Sequence, residues 1–185
     1  MALMGWFDAL LGRSKPARPD LDALFALPSA AISLQVAMAF APAGQGSVCF
    51  RAAEGAAFAE LQSDIQALLG KVEISQDSYG YTWLLARNDD ISGLVTDLHA
   101  ANSTLESAGF GPSLLCTLVS FTNPAGRRLA LVYLYKQGTF YPFAPLDGER
   151  RDNALELQAR GTLASELKIE PDLSRWFPVW GAPGL

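Results

Sequence analysis

The middle of the chain carries two neighbouring apolar runs, at residues 114–121 and 129–135, separated by the turn-forming residues 122–126. Aromatic and β-branched side chains occur in both runs, and Asn, Pro and Gly are typical of tight turns between strands. Because both faces of each run carry apolar residues, we expect an antiparallel hairpin in the middle of a sheet, with helices over at least one side. This hairpin is the predicted centre of the core.

An alternating pattern precedes this hairpin between residues 32 and 40, where almost every second side chain is large and apolar. Such a period of two is typical of a strand that packs one face on the core. Residues 41–46, with one proline and two glycines, are then expected to turn the chain into a second strand at residues 47–51. The predicted interior residues of the first strand are Ile32, Leu34, Val36, Met38 and Phe40, with Ser33, Gln35 and Ala37 facing away.

Amphipathic spacing predicts the helices. Asp20, and Asp89 or Asp90, are good N-caps, Pro28 should end the first helix, and Gly70 should follow the second. The predicted helices span residues 21–27, 58–69, 91–105 and about 152–167, with a last helical turn at residues 171–177.

Further strands are expected between these helices. Residues 71–74 and 79–87 should form another hairpin, and residues 139–141 a short edge strand that ends at Pro142. Hairpins require antiparallel pairing, so the predicted class is α+β, with an antiparallel sheet built from hairpins and interspersed helices. Residues 20–185 are predicted to form a single domain of this kind.

Residues 1–19 are predicted to be separate from that domain, as a short amphipathic segment followed by a proline-rich basic linker. A helix of about seven residues is too short to be stable alone in water. Its four large apolar side chains are therefore expected to dock on another surface, which is either the chain's own domain or a partner or membrane. These candidate partner-binding residues are Trp6, Phe7, Leu10 and Leu11.

A second aromatic group, formed by Trp176, Phe177 and Trp180, lies near the other end of the sequence. Aromatic anchors of this kind occur at interfaces and also at the ends of small cores. We expect this group to belong to the core.

Composition narrows the possible functions. The 185 residues carry a net charge of -5, which gives no field to attract phosphates, so we expect no nucleic-acid partner. The two cysteines, Cys49 and Cys116, lie in apolar predicted strands and are expected to be buried and reduced, without a disulfide between them. The first residues do not resemble a signal peptide or a membrane-spanning helix, so we expect a cytoplasmic protein.

Few residues indicate catalysis or metal binding. His99 is the single histidine, on the flank of a predicted helix, where a structural role is more common than catalysis. No Cys, His or carboxylate spacing matches a metal site, and the glycine-rich residues 44–47 lack the lysine and helix of a phosphate-binding loop. We therefore expect no catalytic, cofactor-binding or metal-binding residue. Carboxylate pairs, Asp89 with Asp90 or Glu166 with Glu170, leave acid–base chemistry as the alternative.

The first thirty residues carry a more specific signal. GWFDALLGR at residues 5–13, the following Lys-Pro and Arg-Pro linker, and LDALFALPSA at residues 21–30 resemble the start of the bacterial PspAB family, the PspA-associated proteins. Residues 48–51 and 128–135 are also similar, so the resemblance runs over most of the chain. It implies an accessory role in the phage-shock, or envelope-stress, response and association with a PspA-type protein or an HtpX-type membrane protease. It transfers no catalytic residue to this sequence.

Two functions from different classes remain. The first is a non-enzymatic accessory protein that binds a protein partner through an exposed apolar surface and residues 1–19, in the cytoplasm and in contact with the inner face of the membrane. The alternative is a hydrolase that uses acidic residues in a cleft. The order of helices and hairpins is similar to YbjN-like and secretion-chaperone-like α+β domains, which bind protein segments. An exposed apolar surface would favour the first function, and clustered carboxylates with perturbed pKa values would favour the second.

Overall fold

A computed structural model describes residues 20–51, 56–70 and 72–185 of the protein, without the side chains of residues 56–58. Six strands form its main sheet: β1 (Ala41–Arg51), β2 (Glu73–Gln76), β3 (Tyr81–Arg87), β4 (Leu114–Thr122), β5 (Arg128–Leu134) and β6 (Thr139–Phe143). They are antiparallel and follow the spatial order β2-β3-β1-β4-β5-β6. A small second sheet pairs β7 (Pro145–Leu146) with β8 (Arg150–Arg151).

Among the described residues, four α-helices accompany the sheet, which confirms the α+β class: α1 (Leu27–Met38), α2 (Ala56–Leu69), α3 (Ile91–Leu105) and α4 (Asn153–Leu163). A 3₁₀ helix, Leu21–Ala26, runs directly into α1. The side chains of Asp20 and Asp90 accept hydrogen bonds from backbone N–H groups at the starts of the 3₁₀ helix and α3, as predicted. Helix α4 ends at Leu163, four residues before the predicted end at residue 167.

The predicted strand at residues 32–40 is wrong, because residues 32–38 belong to α1. Pro28 lies in the first turn of that helix, where a missing N–H costs no hydrogen bond, so it begins a helix and does not end one. Two of the predicted interior side chains, Ile32 and Val36, are 65% and 84% exposed. The buried residues have helical spacing instead: Leu27, Ala30, Ala31 and Leu34.

The predicted turn at residues 41–46 is also wrong, because these residues form the first half of β1. The pairing of β1 with β4 shifts register between Pro42 and Gly46, and proline within a sheet is typical of such bulges. Gly46 permits a close approach of helix to sheet. A β-carbon there would lie 2.7 Å from Cδ1 of Leu98 and 2.9 Å from the carbonyl oxygen of Leu118. Helix α3 therefore packs directly on the backbone of β1.

The two faces of the main sheet are covered by different parts of the chain. The first, which we call the helix face, packs against all four α-helices and the 3₁₀ helix. The second, which we call the tail face, is covered by residues 176–185. Alternation along β5 divides its side chains between them, with Leu131 and Tyr133 on the helix face and Ala130 and Val132 on the tail face.

The central hairpin lies in the middle of the sheet, as predicted, since β4 pairs with β1 and β5. Strand β6 forms one edge, but it continues through Pro142, the residue at which it was predicted to end. An edge strand tolerates proline because one side of its backbone pairs with no neighbouring strand. Residues 168–170 lie along part of this side: the Phe140 N–H donates to the Lys168 carbonyl at 2.9 Å, and the Glu170 N–H donates to the Phe140 carbonyl at 2.8 Å.

Individual side-chain predictions have mixed outcomes. Cys49 is buried as predicted, whereas Cys116 is only half-buried. In the C-terminal aromatic group Trp176 is buried and Trp180 is half-buried, with its ring centroid 4.9 Å from that of Phe143. Phe177 is 57% exposed and does not belong to the core.

Candidate interaction surface

The predicted partner-binding residues Trp6, Phe7, Leu10 and Leu11 lie outside the described residues, so their role stays a prediction. The described chain starts at Asp20, whose carbonyl oxygen accepts a hydrogen bond of 2.5 Å from the Tyr133 hydroxyl. Burial, together with the Asp20 carboxylate, raises the pKa of Tyr133 to about 12, so its hydroxyl keeps the proton that it donates at neutral pH. This bond attaches the start of the described chain to β5.

An apolar stripe runs along the outer side of the helical stretch that follows Asp20. It consists of Phe25, Ile32 and Val36, whose side chains are 49%, 65% and 84% exposed, and we call it the α1 stripe. The spacing of seven and four residues places all three side chains on one side of a helix. Single exposed apolar residues are ordinary on protein surfaces, whereas an aligned group of them is typical of a contact surface.

Sequence reasoning missed this surface because it assigned Ile32 and Val36 to the interior of a strand. The residue that indicates the start of this helix in the sequence is Pro28, because proline is favoured in the first turn of a helix. From that start, Leu27, Ala30, Ala31 and Leu34 follow the spacing of a buried helix face. The remaining apolar residues, Ile32 and Val36, then fall on the opposite side.

Acidic side chains lie beside the α1 stripe. Glu166 accepts hydrogen bonds from the hydroxyl of Ser29, at 3.3 Å, and from that of Ser33. Near the N-terminal end of the stripe, Asp22 Oδ1 lies 2.9 Å from Nε2 of His99, whose ring centroid is 4.7 Å from that of Phe25. A complementary partner would present apolar side chains with basic residues at their margin.

His99 contacts both Asp22 and Ser103, an order found in the Asp-His-Ser sites of hydrolases. Ser103 Oγ lies 3.5 Å from Nδ1 of His99, at the limit of a hydrogen bond. Ser103 is inside α3, where backbone N–H groups bond to the preceding turn and do not form an oxyanion hole. The Asp22 side chain is 82% exposed, so water competes for its contact with His99. His99 therefore serves to join the 3₁₀ helix to α3.

Two buried carboxylates bind the C-terminal part of the described chain together. Glu156 accepts hydrogen bonds from Nε of Arg151 at 2.8 Å and from the backbone N–H of Ala144 at 2.9 Å. Glu170 accepts a hydrogen bond of 2.6 Å from the Thr139 hydroxyl. Because buried charges need such partners, these contacts define structural roles for both carboxylates. The two members of the predicted pair bind different elements: Glu166 accepts a hydrogen bond from Ser29 of α1, and Glu170 accepts one from Thr139 of β6.

Two aspartates have pKa values below their ordinary value. At Asp77 burial opposes the shift, but hydrogen bonds from Trp83 Nε1 and from neighbouring backbone N–H groups outweigh it and lower the pKa. At Asp172 hydrogen bonds from the Ser174 side chain and backbone lower the pKa. These hydrogen bonds place both carboxylates in turns, and a general acid at neutral pH would need the opposite shift.

A cavity of about 150 Å³ lies between the β4–β5 turn and the β7–β8 hairpin, lined by residues 126–128, 145–147, 152 and 155. It contains two carboxylates, those of Asp147 and Asp152. Asp152 accepts a hydrogen bond from Arg127 and also caps α4 through the Leu155 N–H. The cavity therefore does not offer the pair of free carboxylates that the hydrolase alternative requires.

Within the described ranges, no group of three or more His, Cys, Asp or Glu side chains is placed to hold a metal ion. The helical stretch Leu21–Met38 is long and apolar enough to cross a membrane by length and composition. One side of it, including Leu24, Leu27 and Leu34, packs into the core. We therefore interpret this stretch as a core helix with an apolar outer side.

Fold and surface together define an α+β protein with exposed apolar side chains along its first helix. The family model for PspA associated protein B, PspAB, matches residues 4–184, and the chain belongs to this family. The resemblance found in the sequence is thereby confirmed, and it gives the protein an accessory role related to PspA. No curated protein and no solved structure matches the chain. The similarity to YbjN-like and secretion-chaperone-like domains stays a prediction.

Proposed function

We propose that the protein is a non-enzymatic accessory of the phage-shock, or envelope-stress, response, and that it binds a PspA-type protein through the α1 stripe and residues 1–19. The family description, which names PspA as the associated protein, supports the identity of the partner. The exposure of Ile32 and Val36, at 65% and 84%, is the observation that most directly supports the surface. The family match begins at residue 4 and so includes the apolar segment.

The chemistry of the stripe defines the partner surface. Full burial of an apolar side chain of this size contributes roughly 1.5 to 3 kcal/mol as an upper bound, so three of them supply enough for a specific contact. Asp22 and Glu166 beside the stripe, and a net charge of -5, favour a partner segment with basic residues around an apolar centre. The partner segment is therefore an apolar face with a basic margin.

The same proposal includes a location. A PspA-type partner would bring the protein to the inner face of the cytoplasmic membrane, where Arg13, Lys15 and Arg18 would each add about 1 kcal/mol of attraction to anionic headgroups. An HtpX-type membrane protease is the second partner that we propose in the same response. If the protein binds lipid vesicles in the absence of any protein partner, its primary contact is with the membrane and not with a PspA-type protein.

The test compares the binding of surface variants to a purified PspA-type protein from the same source. Val36→Asp and Ile32→Asp each place a charge in the proposed contact without disturbing the core, so we expect binding to weaken at least tenfold. Isothermal titration calorimetry or fluorescence anisotropy gives the dissociation constants. Circular dichroism melting checks that both variants remain folded.

Leu68→Asp is the matched control for Val36→Asp. Leu68 is 59% exposed and lies in the last turn of α2, as Val36 lies in the last turn of α1, so both changes place the same charge at the same place in a helix. The control should bind within about twofold of the unchanged protein. Equal weakening by Leu68→Asp and Val36→Asp would count against the α1 stripe as the contact.

A chain that starts at Asp20 tests the role of residues 1–19. We expect its melting temperature to stay within a few degrees, because Pro16 and Pro19 separate the segment from the capped start of the domain. Its affinity for the PspA-type protein should fall. If the shortened chain melts much earlier, residues 1–19 pack on the domain, and if it binds more tightly, they cover the α1 stripe; either result contradicts a joint role in binding.

A further inference from the structure

Cys49 and Cys116 lie directly opposite each other in the sheet, as a register pair between β1 and β4. Opposed residues of antiparallel strands have Cα atoms about 4.5 to 5.5 Å apart. A disulfide needs a Cα separation of about 4.4 to 6.8 Å. Register pairing therefore places the two cysteines within the range of Cα separations that a disulfide spans, next to the register shift that follows Cys49.

The two thiols differ in their exposure to solvent. Cys49 is 3% exposed on the tail face, in the cluster that contains Trp83 and Trp176, whereas Cys116 lies half-buried at the margin of that cluster. A hydrogen bond with the Cys116 thiol, together with burial, raises the pKa of Cys49 well above its ordinary value. Cys49 therefore stays a protonated thiol at neutral pH, and a solute reaches Cys116 first.

We propose that Cys116 and Cys49 form an oxidation site for hydroperoxides, in which Cys116 attacks, Cys49 resolves, and the product is a disulfide between β1 and β4. The site is on the tail face, across the sheet from the helices that carry the α1 stripe. It does not depend on the proposed partner and it adds a chemical reaction that the accessory role does not require.

The reaction balances with the hydroperoxide as the only oxidant. The sulfur of Cys116, as thiolate, attacks one peroxide oxygen, the O–O bond breaks, and with hydrogen peroxide the leaving oxygen departs as water after taking up the thiol proton. Cys116 is then a sulfenic acid. The sulfur of Cys49 attacks the Cys116 sulfur, the S–O bond breaks, and the hydroxyl leaves as a second water with the Cys49 proton. Two thiols lose two electrons in total, and one peroxide gains them.

The test uses the full chain, reduced, freed of reductant and treated with a small excess of hydrogen peroxide. The expected product is a monomer that has lost about 2 Da, carries no thiol that an alkylating reagent labels after denaturation, and regains both thiols with dithiothreitol. Peptide mapping should find Cys49 joined to Cys116 within one chain. Mapping also separates this product from oxidation of the three methionines.

Two variants assign the roles of the thiols. Cys49→Ala should retain attack but not resolution, so Cys116 should accumulate as a sulfenic acid that dimedone traps, or should link two chains. Cys116→Ser should lose the reaction, and its single thiol should remain labelled after denaturation. Circular dichroism of each variant shows whether the sheet is kept; if Cys49→Ala does not fold, Cys116→Ser and the mapping of the unchanged protein still decide. Recovery of both thiols after peroxide, a disulfide only between chains, or overoxidised Cys116 with free Cys49 would each overturn the proposal.

Discussion

The helix face and the tail face belong to one sheet, yet different interactions cover them. On the helix face, amphipathic helices satisfy most of their own backbone hydrogen bonds, so they meet the sheet mainly through apolar side chains. The bonds from Asn102 to Thr117 and from Tyr133 to the Asp20 carbonyl are polar exceptions. On the tail face the covering chain is irregular, and side chains of the main sheet and of β8 bind its carbonyl groups. The Tyr141 hydroxyl donates to the Phe177 carbonyl at 2.7 Å, and Arg151 Nη1 donates to the Trp176 carbonyl at 2.5 Å.

This difference follows from the need of every buried carbonyl and N–H group for a partner. The backbone groups of a helix bond to one another, so a helix can cover any apolar surface of suitable shape. The backbone groups of an irregular segment need hydrogen-bond partners on the surface that the segment covers. Its position therefore depends on a few polar contacts and aromatic anchors. Stability is therefore spread over many side chains on the helix face and concentrated in a few on the tail face.

The largest expected effect tests the helix face at Leu34, which is fully buried. Leu34→Asp would bury an unpaired charge in the core and should lower the free energy of unfolding by about 4 kcal/mol or more. Val36→Asp, two positions along the same helix, should cost at most about 1 kcal/mol, mainly through the unfavourable charge near the helix C-terminus. Urea unfolding followed by circular dichroism measures both values. Equal loss of stability with Val36→Asp and Leu34→Asp would restore the predicted strand, in which both side chains face the core, and would contradict the helix.

An intermediate effect is expected from Trp176, the aromatic anchor of the tail, which is 5% exposed. Trp176→Ala should lower the free energy of unfolding by about 3 kcal/mol through the lost burial and the cavity that it leaves. Phe177→Ala removes the next aromatic side chain, which is 57% exposed, and should cost less than about 1 kcal/mol.

Hydrogen exchange distinguishes the two faces in the Trp176→Ala variant. If stability on the tail face is concentrated in this anchor, N–H groups of residues 176–185 should lose protection while those of α3 keep it. Uniform loss of protection over the whole chain would show that the two faces unfold together. Stability on the tail face would then not depend on Trp176 more than stability on the helix face does.

The smallest expected effect concerns Asp77, which accepts a hydrogen bond of 3.0 Å from Nε1 of Trp83 on the tail face. Burial opposes the shift, but this bond and those from backbone N–H groups hold the pKa of Asp77 below its ordinary 3.8. A carboxylate with a lower pKa in the folded chain stabilises that chain above its ordinary pKa, and this contribution is lost as the pH falls through the folded pKa. Asp77→Asn should therefore cost less than about 1 kcal/mol at neutral pH.

The pH dependence is the measurement for Asp77. Urea unfolding of the unchanged protein and of Asp77→Asn should differ at pH 7 and should converge as the pH falls below the ordinary pKa of the carboxyl group. A difference of constant size over the whole range would mean that the charge of Asp77 does not contribute. Leu173→Asn, at a half-exposed position, serves as a control for the surface change.

The sequence predicted those parts of the fold in which one period dominates. The stripe of α3, from Ile91 to Leu105, and the hairpin of β4 and β5 carry large apolar residues at regular spacing, and both predictions are confirmed. Helix α1 was misread because its buried face contains the small residues Ala30 and Ala31, whereas Ile32 and Val36 on its outer side mimic a period of two. The first half of β1 was missed because its glycines resemble a turn, although Gly46 serves the close approach of α3.

The surface and the tail were harder to predict for a related reason. The α1 stripe appears only when the helix is assigned correctly, since the same apolar residues were otherwise counted as core. The tail shows no hydrophobic period, since it forms no regular helix or strand. Hydrogen bonds from side chains to its carbonyl groups hold it on the sheet instead. The pairing of Cys49 with Cys116 depends on the register of two strands far apart in the sequence, which local patterns do not define.

The irregular cover of the tail face has a consequence while the chain is being synthesised. Strands β1 and β4 leave the ribosome before the residues that will cover them, with about 60 residues between the end of β4 and the end of the tail. At roughly 5 to 20 residues per second, apolar side chains on one side of the nascent sheet stay uncovered for roughly 3 to 12 seconds. During that interval the nascent chain presents a surface suited to chaperones, and a shortage of chaperones would first cause aggregation of nascent chains in which residues 176–185 have not yet been synthesised.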